Sequence, residues 1–257
     1  MQDTFVEDTE KGFPLVLIHG FLGSSNMWIP QINYFSKNFR VICPNISGFG
    51  GNIQMKSKDS IKDMSKAIID YLEKKKIEKF YLLGHSMGGM VVQEMTKHIG
   101  DKIKKLVCYG TGPVGNIPGR FETMTETRNR LNKDGLASTA HRIAKTWFVE
   151  EDKAKYFYLC KESGNSTTSK AADNALIAME NWNGMNNLKN IKCETLIIWG
   201  DKDRAYNFDQ VDTLNKEIPN SEMVIFKNCS HNVHLEKPNE FNKEVEKFLN
   251  KKNINNL

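Results

Sequence analysis

Apolar positions change their spacing along the chain, and this change separates predicted strands from predicted helices. Up to about residue 110, and again after about residue 195, short apolar runs rich in β-branched residues alternate with segments of helical spacing. The runs predict strands over residues 14–19, 39–44, 79–83, 103–109, 195–199 and 223–226. This alternation predicts the α/β class, with a mostly parallel central sheet flanked by helices.

Three of the predicted helices have clear bounds. Ser60 is suited to cap the helix that follows it, because a serine oxygen can accept from a free N–H in the first turn. A second helix is predicted directly after Ser86, and a third over residues 239–249. These helices fill the crossovers that a parallel sheet requires.

The strand pattern is interrupted in the middle of the chain. Amphipathic helical segments replace it, over residues 121–131, 136–148, 153–161 and 169–182, with Gly112 and Gly184 at the two ends. We expect residues 113–185 to form a helical lid, or cap subdomain, inserted into a core made of residues 1–112 and 186–257. Trp147 and Trp182 either line a pocket beneath this lid or pack it against the core.

Composition and charge exclude several function classes. Apolar residues make up 39% of the chain, and no run approaches the roughly 20 apolar residues of a membrane span, so we expect a soluble protein without a membrane partner. Lysines interspersed with acids carry the net charge of +5, which argues against a nucleic-acid partner. The acidic first eight residues lack the features of a secretory signal, which predicts a cytoplasmic location.

The cysteines do not indicate metal or redox chemistry. All five are scattered along the chain, and none forms a C-x-x-C pair. They are predicted to be buried free thiols, with no metal site.

Residues 80–90 contain the motif G-x-S-x-G, formed by Gly84, Ser86 and Gly88. The motif stands at a predicted strand-to-helix junction, where a tight turn raises the serine oxygen above the sheet. Side chains at the two glycine positions would collide where strand and helix cross. This context makes Ser86 the predicted nucleophile, and the alternative is a serine that only caps the helix.

A nucleophilic serine also needs donors for the oxyanion that forms when it attacks a carbonyl. The Met87 N–H, at the start of the helix, is one predicted donor. The Phe21 N–H is the second, because the loop after the first strand is bounded by glycines and can present it. His19 in the same loop is predicted to be a buried histidine that braces it.

The base and the acid are predicted from the loops that follow the last two strands. His231 and His234 lie after the strand over residues 223–226, and His231 is favoured as the base because it leaves the strand first. Asp201 and Asp203 follow the preceding strand. Asp203 is favoured as the acid that orients the histidine, because it lies further into the loop, whereas Asp201 next to a glycine suits a turn.

From about residue 13 to residue 249, the chain resembles the α/β-hydrolase superfamily. It carries, in the order usual for that family, the motifs HGFLGS, GHSMGGM, GDKD and SHNVHLEKP. The resemblance implies the α/β-hydrolase fold, a triad of Ser86, Asp203 and His231, and the two oxyanion N–H groups. It also supports the helical lid. The N-terminal strand pair of the family is expected to be shortened, since only about a dozen residues precede the first predicted strand.

Within that superfamily, residues 135–148 together with Trp182 resemble the 3-oxoadipate enol-lactonase group of carboxylic ester hydrolases. This implies a serine esterase or lactonase that acts on a small-molecule ester or lactone through an acyl-enzyme intermediate. No organic cofactor or metal is expected.

Three alternatives stay open. Carbon–carbon bond hydrolases have a similar lid, but they typically carry Asn before the nucleophile and Trp after the histidine, where this chain has His85 and Asn232. The segment HGFLGSSNMW also resembles a menaquinone-pathway lyase-like synthase. A ligand sensor with slow turnover would keep the same fold and triad.

Overall fold

The computed structural model describes residues 6–116 and 119–251. Within these residues one sheet has the strand order β1-β3-β2-β4-β5-β6-β7. The strands are β1 Val6–Asp8, β2 Phe13–Ile18, β3 Phe39–Pro44, β4 Phe80–His85, β5 Ile103–Tyr109, β6 Glu194–Gly200 and β7 Ser221–Phe226. β1 is antiparallel to β3, and each of the other neighbouring pairs is parallel.

The predicted mostly parallel sheet is therefore confirmed. β3 and β5 have the predicted bounds, and the other predicted strands shift by one or two residues at their ends. β1 was not predicted as a strand, because three partly exposed residues give no apolar run. Residues 1–5, which belong to the N-terminal segment used to predict location, lie outside the described residues.

Helices cover both faces of the sheet and connect its strands. They are α1 Ile29–Phe35, α2 Ile61–Lys74, α3 Met87–Ile99, α4 Met124–Lys145, α5 Phe157–Asn165, α6 Ser169–Glu180, α7 Phe208–Glu217, α8 Val233–Glu236 and α9 Pro238–Asn250. Short 3-10 helices cover Ser25–Trp28, Gly50–Asn52, Gly100–Lys102, Glu151–Lys153 and Met185–Asn190. As predicted, Ser60 caps α2, and its Oγ accepts from the Asp63 N–H at 3.0 Å.

Alternating residues of β2 form the two halves of the core, since successive side chains of a strand point to opposite faces. Val16 and Ile18 belong to the apolar cluster that includes α2 and α3. Leu15 and Leu17 belong to the cluster that includes α1 and α9. Both faces of the sheet are thus buried, as is usual for parallel sheets.

A helical insertion that contains α4, α5 and α6 separates β5 from β6 in the chain. Two of its predicted helices are joined in α4, where Gly135 interrupts the helical backbone with φ 78°. The ends of the insertion are held together by the Gly115 N–H on the Trp182 carbonyl (3.0 Å) and the Gly184 N–H on the Pro113 carbonyl (2.8 Å). The insertion therefore leaves and rejoins the core at one place.

No helix in the described ranges is long and apolar enough to cross a membrane.

Candidate active site

Ser86 stands in the tight turn between β4 and α3, at the centre of the sheet. Its backbone has φ 56° and ψ −119°, a conformation that costs a non-glycine residue about 1–3 kcal/mol and occurs mainly at functional sites. Neighbouring groups hold this conformation: the Ser86 N–H donates to the Tyr109 carbonyl (2.9 Å), and the Thr111 hydroxyl donates to the Ser86 carbonyl (2.9 Å). The sequence therefore forms the strained strand-to-helix turn that the motif predicts.

Gly84 and Gly88 make this turn sterically feasible. A Cβ on Gly84 would collide with the Gly88 carbonyl, and a Cβ on Gly88 would collide with the Ile18 carbonyl. β4, α3 and β2 thus meet with backbone against backbone. This contact is the physical reason for the two glycines of the motif.

His231 and Asp203 form a buried pair. The His231 Nδ1 lies 2.8 Å from the Asp203 Oδ2, and the two side chains are 2% and 0% exposed. The other oxygen, Oδ1, accepts from the N–H groups of Ala205 (2.7 Å) and Tyr206 (3.1 Å), so the carboxylate cannot rotate freely. Because Nδ1 faces a carboxylate, it carries the proton, and Nε2 is left to accept one.

Asp201 and His234, the less favoured candidates for the acid and the base, have other partners. Asp201 Oδ1 accepts from the Asn228 N–H at 2.7 Å, which fits the predicted turn role. His234 Nδ1 lies 3.0 Å from the Tyr109 hydroxyl, and its ring packs on Trp28 with the ring centroids 4.7 Å apart. Burial and the nearby His231 lower the pKa of His234 to about 3, so His234 is neutral.

His85 and Tyr109 pack beneath the His231 ring. The His85 ring stacks on Tyr109 with the centroids 4.5 Å apart, and it lies 4.6 Å from the His231 ring. Burial, followed by the effects of His231 and His234, holds the pKa of His85 well below its usual range. His85 is therefore a neutral packing residue, and the sequence analysis did not identify this support.

The loop after β2 runs close to Ser86. A Cβ on Gly20 would lie 2.9 Å from the Ser86 Cβ. His19 braces the loop as predicted: the Ile46 N–H donates to His19 Nε2 (3.0 Å), and the opposite nitrogen lies 2.8 Å from the Gly20 carbonyl. Burial lowers the pKa of His19 to about 4.

The two predicted oxyanion donors, Phe21 and Met87, directly follow Gly20 and Ser86 in the chain. In the described part of the chain, the Phe21 N–H has no hydrogen-bond partner. Met87 is the first residue of α3, and the first N–H groups of a helix have no acceptor within it. Both N–H groups are therefore available to a ligand.

Tyr206 is a further residue at the site, and the sequence analysis did not single it out. Burial raises the pKa of Tyr206 to about 12, and the side chains of Ser86 and Thr111 beside its hydroxyl act to lower it. Its ring stacks on His231 with the centroids 5.8 Å apart. Its position three residues after Asp203 is the one signal in the sequence that could have indicated this role.

The site combines a strained serine, a carboxylate-paired histidine and two free N–H groups, which is the set needed for acyl transfer. Within the described residues, 6–116 and 119–251, no hydrogen bond joins Ser86 to His231. Such bonds are often long in unliganded enzymes and shorten when substrate binds. Over the same residues, no group of three or more His, Cys, Asp or Glu side chains is arranged to hold a metal ion.

Comparison with known proteins gives a match to the family described as "alpha/beta hydrolase fold" over residues 14–238. Monoacylglycerol lipase ABHD6 of Rattus norvegicus is 25% identical over 260 residues, which cover 91% of this chain and 74% of the lipase.

Two solved structures share the fold. The esterase EaEST from Exiguobacterium antarcticum has a TM-score of 0.88 at 22% identity, with 96% of this chain and 95% of the esterase covered. The enol-lactonase from Burkholderia xenovorans LB400 has a TM-score of 0.86 at 21% identity, with 97% and 96% covered.

Proposed function

Because the chain belongs to the family with the α/β-hydrolase fold, we propose that it is a serine hydrolase that cleaves a carboxylic ester or a lactone of a small molecule. Ser86 is the nucleophile, His231 the general base and Asp203 the acid that orients the histidine. The buried 2.8 Å contact between His231 and Asp203, beside the strained turn at Ser86, is the observation that carries the proposal.

The reaction proceeds in two acyl-transfer steps. His231 Nε2 takes the proton of Ser86 as its oxygen attacks the substrate carbonyl, and the Phe21 and Met87 N–H groups bind the resulting oxyanion. Collapse of this intermediate releases the alcohol, which takes the proton from His231, and leaves an ester on Ser86. Water, activated by His231, then releases the acid and restores the serine.

The hydrogen bonds that fix the orientation of the Asp203 carboxylate support the order of these proton transfers. Its Oδ2 keeps the proton of His231 on Nδ1, so Nε2 enters each step unprotonated. Since Oδ1 is occupied by two N–H groups, the pair does not need to reorganise as charge develops on the imidazole.

We further propose that the helical insertion acts as the lid over this site. The Asn232 N–H, next to His231, donates to the Trp147 carbonyl at 2.9 Å. On the side of the oxyanion loop, the Ser24 and Ser163 hydroxyls lie 2.8 Å apart. These two contacts join the insertion to both sides of the proposed triad.

Trp147 and Trp182 differ in their relation to this site. The Trp147 ring lies 6.2 Å from His231, at the proposed pocket. The Trp182 Nε1 donates to Glu94 Oε2 at 3.1 Å, which fits packing of the insertion against α3.

Hydrolysis of p-nitrophenyl esters from acetate to dodecanoate, with 3-oxoadipate enol-lactone in parallel, tests the proposed function. Wild-type protein should turn over at least one of these substrates, and Ser86→Ala should reduce kcat by about 10⁵-fold or more while the protein stays folded. A fluorophosphonate should add one covalent group to the wild type at Ser86. Full activity in Ser86→Ala would overturn the proposal. Tight ligand binding without any turnover would favour a sensor.

A further inference from the structure

Arg120 lies in the segment that leads into α4, and no carboxylate of the described residues forms an ion pair with it. Its Nε is shielded from solvent and has no hydrogen-bond partner within the described ranges. Its Nη1 is directed at the Met124 sulfur, which is a weak acceptor. Its guanidinium carbon lies 5.3 Å from the centre of the Phe121 ring. These contacts position the group but do not neutralise its charge.

The nearest carboxylate in sequence is already occupied. Glu122 Oε1 lies 2.8 Å from Arg130 Nε, and Glu122 Oε2 lies 2.7 Å from Arg142 Nη1. One carboxylate thus serves two other arginines and leaves Arg120 unpaired. Positive charge is in excess in this part of the insertion.

Arg120 lies next to the proposed catalytic residues. The Phe121 N–H donates to the Arg204 carbonyl at 3.3 Å, which ties this segment to the loop that carries Asp203. Burial lowers the pKa of Arg120, whereas Tyr206, Glu122 and Asp203 act in the opposite direction.

Tyr206 connects the cation to the nucleophile. Arg120 acts to lower the pKa of the Tyr206 hydroxyl, and so does the Ser86 side chain. Both groups therefore lie close to the same phenol.

Arg120 as a whole is partly exposed, but its Nε is withdrawn from water without a partner, and charged groups in such surroundings cluster at functional sites. The planar guanidinium matches the two oxygens of a carboxylate. We propose that Arg120 binds a carboxylate group of the substrate, so that the ester or lactone cleaved at Ser86 carries a second, ionised carboxyl group. This inference rests on the serine hydrolase function proposed above.

Two matched pairs of esters test the inference and show which side of the ester bond carries the charge. On the acyl side, 4-nitrophenyl hydrogen glutarate is compared with its methyl ester. On the alcohol side, the acetate ester of 4-hydroxybenzoate is compared with that of methyl 4-hydroxybenzoate. Wild-type protein should prefer the anionic member of at least one pair by about tenfold or more in kcat/KM.

The variants separate recognition of charge from support of the fold. Arg120→Gln should lower kcat/KM for the preferred anionic ester by about 10- to 100-fold and change that for its neutral partner by less than about threefold. Arg120→Lys keeps the charge but loses the planar fork, and it should retain part of the preference. Arg204→Gln removes the same charge from an exposed position close to Asp203 and should leave the preference unchanged.

Binding of glutarate to Ser86→Ala protein, measured by calorimetry, is independent of turnover. It should weaken by about 10- to 100-fold when Arg120→Gln is added. Glutarate binding through Arg120 without hydrolysis of any ester would uphold this subsite and overturn the proposed function. Hydrolysis with no preference for the anionic esters, or an equal loss on both members of each pair in the Gln and Lys variants, would overturn the subsite alone.

Discussion

The Tyr109 hydroxyl donates a hydrogen bond of 2.7 Å to the main-chain carbonyl of His231. The same oxygen accepts from the His234 N–H at 3.2 Å. Tyr109 is the last residue of β5, so one side chain ties the end of that strand to the loop that carries the proposed base. The position of His231 therefore depends on the sheet as well as on its own loop.

Replacing Tyr109 tests whether its hydroxyl helps to fix the position of His231. Tyr109→Phe removes the hydroxyl, which leaves the buried His234 N–H without its acceptor and the His231 carbonyl with only His85 Nε2 (3.2 Å), so the free energy of unfolding should fall by about 1–3 kcal/mol. Because small displacements of a catalytic group slow chemistry, kcat should fall by about 10- to 100-fold with little change in KM. Denaturant titration and ester kinetics measure the two effects. Tyr158→Phe, at a side chain that is 49% exposed, is the control and should change neither.

The choice of acid can be decided by a matched pair of substitutions. Asp203→Asn should reduce kcat by about 10³- to 10⁴-fold, because an amide facing Nδ1 favours the wrong tautomer of His231. Asp201→Asn, in the same loop, should reduce kcat by less than about threefold, since its carboxylate bonds the Asn228 N–H and not a histidine. Equal effects of the two substitutions on kcat would refute the assignment of Asp203.

The turn at Ser86, the proposed nucleophile, is predicted to tolerate no side chain at Gly84. Gly84→Ala should destabilise the protein by about 3 kcal/mol or more, because the new Cβ meets the rigid carbonyl of Gly88. Gly100→Ala is the matched control: its Cβ would meet nothing within 4 Å and its backbone is helical, so a gain of about 0.4–1 kcal/mol is expected. Thermal unfolding of both variants measures the difference. A melting temperature unchanged in Gly84→Ala would contradict the steric account.

Buried neutral histidines make stability dependent on pH. Burial lowers the pKa of His19 to about 4 and that of His234 to about 3, from a usual 6.5. The unfolded chain therefore binds more protons below pH 6.5, and stability that is complete above this pH should fall as pH decreases towards 4. Each histidine should contribute about 1.4 kcal/mol per pH unit in that window.

Urea titrations between pH 7.5 and 4.5 measure this slope. His234→Phe should reduce the slope of stability against pH by the amount that corresponds to about one bound proton. Phenylalanine fits among Trp28 and Phe241 and does not titrate. A stability that is independent of pH across the window would show that these histidines protonate in the folded state.

The parts of the fold that the sequence predicts well are those with a strong local signal. The apolar runs over residues 39–44 and 103–109 give the bounds of β3 and β5, and Gly135 marks the interruption of α4. By contrast, α7 was not predicted. It is a ten-residue helix. Its N-cap, Asn207, directly follows the loop that the sequence analysis used to predict the acid.

The residues of the candidate site also differ in whether a local sequence signal predicts them. Ser86 is recognisable because its motif is contiguous and sterically constrained. His231 and Asp203 are recognisable from the order of loops at one edge of the sheet, although only the structure shows which acid faces which histidine. Arg120 and Tyr206 come together through packing between distant segments, and no local pattern encodes such a contact.

Two of the hydrogen bonds that hold the helical insertion on the core join main-chain groups only, and these two have an evolutionary consequence. Trp147 and Ser166 accept through main-chain carbonyls, from the N–H groups of Asn232 (2.9 Å) and Gly50 (2.7 Å). Main-chain bonds survive when side chains change, so mutations can alter the inner surface of the insertion without undocking it. Selection for new substrates can therefore act on the insertion while the sheet and the loops of the proposed triad stay as they are.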